Sequence, residues 1–228
     1  MNKIPKVKKI SIWIFIVPFL GINICLLLVN YFHGLFPDPT SILHNSFPYI
    51  DGSASISRTA RIFPSYLVFK PAMFLTSFLL IKYWFYNKEI ILFFKKDSKH
   101  ISKFIFFGIG SAILLTLHSI FLGIKFDYDV YKLFRRVVML GFVIFEVIAQ
   151  TYLVISLYSI KKKILKYINY RFLIMKFILV SVLIIVAFLS IPIVATEGHK
   201  SFKHLLEWNY FLSIIFFYLL TFCMWKKK

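Results

Sequence analysis

The chain has 228 residues, 60% of them hydrophobic and 20% aromatic, with a mean hydropathy of +0.79 and a formal net charge of +19. Soluble domains sit nearer half apolar, and the apolar residues here recur in runs long enough to cross a bilayer, which excludes an ordinary soluble domain. The positive charge falls in short tracts between those runs, with no groove-reading module, which argues against nucleic acid as a partner.

Residues 1–9, MNKIPKVKK, form a short basic lead. Residues 10–32 are longer than a signal-peptide core and lack a small-residue cleavage site, so they read as a first, uncleaved span interrupted by Pro18 and Asn23. Residues 33–63 are the long polar interval and the expected external loop. Pro37, Pro39 and Pro48 should break helices there, and Asp51-Gly52 signals a turn. Ser53, Ser55 and Ser57 then alternate with Ala54 and Ile56, which predicts a short strand or extended segment. Residues 64–85 form a second span, in which Lys70 and Lys82 lie near opposite ends and can snorkel towards water. Residues 86–103 are basic and aromatic, as expected of a segment lying along the interface. Spans at 104–123, 133–159, 172–195 and 205–225 complete the chain. The fold class expected is all-α: a single domain formed by a polytopic transmembrane bundle of six helices.

The 28 Lys and Arg concentrate before span one, between spans two and three, between spans four and five, and after span six. By the positive-inside rule both termini are cytoplasmic and the loop 33–63 faces the other side. Trp13, Trp84 and Trp225 should then mark the inner interface and Trp208 the outer one. A bacterial inner membrane and a eukaryotic endomembrane both fit. Cys25 and Cys223 fall within spans and read as small buried residues. No Cys/His zinc spacing and no His-x-x-x-His or His-Glu-x-x-His pattern occurs, so no metal and no cofactor is expected.

Polar groups inside spans are expensive and therefore informative. Glu146 is the one acid deep in a span, about 20 Å down the helix from Leu133 at ~1.5 Å per residue. Gln150 follows one turn later on the same face. Ser77, Ser111 and Ser181 fall at similar depths and are the expected partners. This cluster reads either as an interhelical hydrogen bond or as a functional feature: a polar floor to a headgroup cavity, or a proton site. At the external end Asp51, His204 and Glu207 are candidates for acid–base or polar contacts. Arg58, Arg61, Arg135 and Arg136 are candidates for a phosphate-bearing headgroup, because guanidinium matches phosphate in a bidentate fork. The plainer alternative is that Asp51, Asp127 and Asp129 neutralise those arginines.

Two segments carry a family resemblance. Pro48-Tyr49-Ile50 with Ser53 to Arg61, and Phe202 to Asn209 (FKHLLEWN) at the opening of span six, resemble the Frag/DRAM/Sfk family of six-span membrane proteins, which is linked to lipid remodelling of GPI anchors. The resemblance implies a lipid-linked role on the exoplasmic face. It carries over Glu207 and, less closely, Pro48, Ile50 and Arg61. Asp51 departs from the pattern, which has serine or another small residue there. The leading expectation is therefore a protein that binds or remodels a lipid or lipid-anchored headgroup, with membrane lipids and a membrane protein as partners. The alternatives are an intramembrane hydrolase or acyltransferase using the external His/Asp/Glu set, and a non-catalytic scaffold.

Overall fold

The computed structural model describes residues 3–36, 42–95, 100–124 and 128–226. Among them the secondary structure is helical apart from one isolated bridge. Six helices are long and apolar enough to cross a membrane: α1 (Ile4–Tyr31), α4 (Ser65–Phe94), α5 (Ile101–Phe121), α6 (Asp129–Ser159), α8 (Tyr170–Ala195) and α9 (Lys200–Met224). The chain is an integral, multi-pass membrane protein. Each span packs on the next in sequence, and α9 returns to α1, so the six close into a ring. Short connections make consecutive helices from α4 onwards antiparallel neighbours, while α1 and α4 are joined by the long first loop.

The basic end is more helical than expected. Asn87, Ile90 and Ile91 are buried one and two turns beyond Tyr83 and Trp84. That spacing continues the seam between α4 and α1, so the segment expected to lie along the interface is instead the last turns of α4, as far as Phe94. At ~45 Å for 30 residues, α4 outreaches the hydrocarbon core. The basic lead becomes helix for the same reason: Ile4 and Val7 are buried, and Lys3 pairs with Glu89 at 2.8 Å. Lys8 donates to the carbonyl of Trp225, Asn169 N–H to Met224 O at 2.8 Å, and Lys226 N–H to Tyr167 O at 3.0 Å. These bonds tie both ends of the chain and the connection carrying α7 (Lys161–Ile164) into one layer.

The tryptophans correct an expectation. Trp84, Trp208 and Trp225 are each 0% exposed, while Trp13 is 48% exposed. Three of the four fill the protein interior and do not anchor an interface; only Trp13 faces outwards. Cys223 is also exposed, whereas Cys25 is buried as expected. Trp84 sits directly against Gly108 of α5: a Cβ added there would lie 2.4 Å from the indole. Tyr83 and Phe104 pack on the same indole and prevent it from retreating. Gly108→Ala should therefore destabilise the α4–α5 contact by about 1–3 kcal/mol, read as a lower midpoint in thermal unfolding of the detergent-solubilised protein.

Candidate functional site

At the end opposite the basic tracts, the first loop folds into a cap. Pro48 does not break a helix but starts one: α2 (Pro48–Asp51) has proline in its first turn, where no N–H is needed. Gly52, at φ +58, ends it in the left-handed region that glycine tolerates. The alternating serines form no strand. Ser55 caps α3 (Ile56–Ala60), its Oγ accepting from Arg58 N–H at 3.1 Å. Ala54, Ile56, Thr59 and Ala60 are buried beneath. Of the loop prolines, Pro37 and Pro39 lie outside the described residues.

The cap is latched to α9 through side chains on one face of its first turns. His204 Nδ1 is 3.0 Å from Gly52 O, Trp208 Nε1 donates to Ala54 O at 2.8 Å, and Asn209 Nδ2 donates to Tyr49 O at 2.8 Å. The Tyr49 ring meets Trp208 edge-on at 4.8 Å. Glu207 lies beside the start of α3, with its Oε1 buried and without a hydrogen-bond partner among the described residues. The physical logic is one of backbone accounting: carbonyls in a loop under a membrane protein's cap lack ladder partners, so side chains of α9 supply the donors. A Cβ on Gly52 would lie 1.8 Å from Ser201 O, which shows how closely cap and helix approach.

Asp51 is exposed, and its work is local. Oδ2 accepts from Phe47 N–H and Oδ1 from Ser53 N–H, both at 2.8 Å. Partial desolvation is the largest single influence and pushes its carboxyl up. The hydrogen bonds from Ser53 and Phe47 together outweigh it and hold the group below the usual carboxylate range. Thus Asp51, His204 and Glu207 gather at one cap, the first two engaged with backbone.

The arginines rim the same end. Arg58 lies on α3, and Arg61 follows it, exposed. Gly123, after α5, comes so close that a Cβ would be 2.9 Å from Arg61 O, which brings the α5–α6 corner against the cap. On α6, Arg135 sits 6.0 Å from the Tyr131 ring, beside His118, with Nε buried and unpartnered; Arg136 is exposed. Asp129 pairs with Lys132 at 3.0 Å and Asp51 with backbone; Asp127 lies outside the described residues. Among the described residues, no three His, Cys, Asp or Glu side chains gather as metal ligands.

A second polar assembly lies in the bundle centre. Glu146 is 1% exposed. Its Oε2 receives Ser111 Oγ at 2.6 Å; its Oε1 receives Gln150 Nε2 at 3.1 Å and the Tyr218 hydroxyl. Gln150 Nε2 also donates to Ile214 O at 3.2 Å. Of the three serines expected as partners, only Ser111 fills that role. Ser77 and Ser181 bond to their own helices, because a hydroxyl four residues from a carbonyl on the same helix already has an acceptor within reach. The partner that depth counting missed is Tyr218, on α9.

The larger omission is Lys176. It lies just inside span five and counts with the cytoplasmic charges beside the loop before it, yet its side chain is 0% exposed. Nζ donates to Thr221 Oγ1 at 2.8 Å and lies 3.9 Å from the centre of the Phe217 ring. Thr221 Oγ1 is in turn 3.2 Å from Tyr83 Oη, and the Tyr83 ring meets Tyr218 edge-on at 4.9 Å. The available signal was position: Lys176 sits inside the apolar run LIMKFILV, not beside it. It also belongs to the seam Leu173, Lys176, Val180 and Leu183, the four buried residues of α8. Comparison of the chain with protein-family models, curated proteins and solved structures finds no match.

Proposed function

We propose that this integral membrane protein binds a lipid or lipid-anchored headgroup at the end opposite its basic tracts, in the manner its two resemblance segments suggest. The observation that carries the reading is the latch. Pro48–Arg61 and Phe202–Asn209 are far apart in the chain, and they form the two sides of one contact through His204, Trp208 and Asn209. The cap so held presents Arg58 and Arg61 next to the corner that leads to Arg135 and Arg136. Arginines at a membrane-facing rim suit phosphate-bearing headgroups. The engagement of Asp51 and His204 with backbone weighs towards binding and positioning over bond-breaking chemistry.

The test is lipid analysis of the purified protein. Wild type should retain anionic phospholipid through detergent extraction, and Arg61→Ala/Arg136→Ala should retain several-fold less at unchanged thermal stability. Equal retention by both proteins would refute the headgroup site.

A further inference from the structure

Glu146 is more than a helix-to-helix hydrogen bond. The geometry points to Oε2 of Glu146 as a membrane-embedded proton-binding site whose loaded and empty states are both satisfied without moving the bundle. Ser111 makes this so. Its Oγ lies 2.6 Å from Glu146 Oε2 and 2.9 Å from Gly108 O on its own helix. A hydroxyl has one proton and two lone pairs. With Glu146 ionised, Ser111 donates to Oε2. With Glu146 protonated on Oε2, the new O–H donates to Ser111 Oγ, and the serine proton turns to Gly108 O. No heavy atom needs to shift, and no buried donor or acceptor of the pair is orphaned in either state.

The other carboxylate oxygen cannot serve this role. Oε1 faces two donors, the Gln150 amide and the Tyr218 hydroxyl, and the amide is held in orientation by its second bond to Ile214 O. A proton on Oε1 would meet the amide hydrogens of Gln150 and would turn the Tyr218 hydroxyl away from its one acceptor among the described residues. The site is therefore one-sided: two donors without an alternative on Oε1 and one reversible partner on Oε2.

The surroundings fit a proton better than a larger cation. A cavity of about 10 Å³ opens beside Glu146 and Tyr218, lined by Ile14, Pro18, Met73, Leu115, Phe142 and Ile214 among others. That is at the threshold for one water and offers almost no oxygen ligands for a metal ion. The ionisable groups near the carboxyl are Tyr218 on α9, bonded to it, and Tyr83 on α4, whose ring touches that of Tyr218. Lys176 on α8 is reached through Thr221 and Tyr83. On the neighbouring faces, α5 contributes Ser111, and α1 contributes Ile14 and Pro18, which do not titrate. Lys176 is a nearby buried amine that makes no salt bridge to Glu146 and reaches it only through Thr221 and the tyrosines.

Infrared spectroscopy of the protein in lipid nanodiscs, titrated with pH, tests the site directly. Wild type should show the carbonyl stretch of a buried protonated carboxylic acid that comes and goes with pH, and Glu146→Gln should lack it. Ser111→Ala keeps the acid but removes the reversible partner. The ionised and protonated forms lose bonds of unequal strength, so the midpoint should move by about one pH unit. A titrating band that survives Glu146→Gln, or a wild-type protein with no such band over the range where it stays folded, overturns the proposal. If Glu146→Gln does not fold, Ser111→Ala decides: an unmoved midpoint also overturns it. The outcome is independent of the lipid-retention experiment, which reads the other end of the molecule.

Discussion

Trp208→Ala should open the cap. The indole is 0% exposed, donates to Ala54 O at 2.8 Å and packs edge-on against Tyr49. Truncation removes the largest buried side chain beneath the loop and leaves the Ala54 carbonyl without its donor. Losing a buried aromatic destabilises by about 3–5 kcal/mol, and the orphaned carbonyl adds to that. The loss should be local. The cap meets the bundle mainly through α9, α1 and α4, while the ring of spans is closed by separate contacts. The measurement is the thiol-labelling rate of a Ser53→Cys variant, compared with Trp208 intact and with Trp208→Ala added. Labelling should rise by about tenfold or more in the double variant while the helical signal in circular dichroism stays constant, as an opening that costs over 1.4 kcal/mol less would produce. Equal rates would mean that the latch does not hold the cap. Trp208→Phe should fall between, since it keeps ring packing and loses only the N–H bond.

Glu146→Ala should be the most damaging change in the bundle centre. Ser111, Gln150 and Tyr218 all point donors at this carboxylate. Alanine takes the acceptor from all three and enlarges the cavity beside them, at about 1–3 kcal/mol for each group left unsatisfied. Ser111 and Gln150 retain second acceptors in Gly108 O and Ile214 O, so Tyr218 bears most of the loss. Combined with the cavity, a deficit of several kcal/mol is expected, read as a large fall in thermal midpoint or failure to accumulate in the membrane. Glu146→Gln should be much milder, because its carbonyl oxygen can still accept from Tyr218. If the two variants unfold alike, the hydrogen bonds around Glu146 do not contribute what their geometry implies.

These two expectations concern opposite ends of α9. Its first turns latch the cap, and its last third carries Tyr218 and Thr221, which reach Glu146 and Lys176. The helix is therefore the structural link between the outer rim and the polar core. Trp208 of the latch and Ile214, Tyr218 and Thr221 of the core are buried along its inner side, while Asn209 reaches Tyr49 O from an exposed position beside Trp208.

Much of this was legible from the residues alone. Six apolar runs determine six spans, because only helices satisfy their own backbone in lipid, and hydropathy reports that requirement directly. The Asp51-Gly52 turn follows from its residue types, and the depth of Glu146 and its pairing with Gln150 follow from spacing along one helix; depth alone offered three serines as partners, of which packing selects Ser111. The two resemblance segments contain the cap and its latch. What sequence could not assign was anything decided by which helices face each other. Lys176 looks like a topology charge until the α8–α9 seam buries it. Trp84, Trp208 and Trp225 look like interface anchors until the ring of helices encloses them. The serines of the first loop look like a strand until α9 supplies donors for the carbonyls of that loop. In each case local pattern records hydrophobicity and period, whereas burial depends on partners far away in the chain. The choice between lipid-facing and protein-facing is invisible to hydropathy, since both environments are apolar.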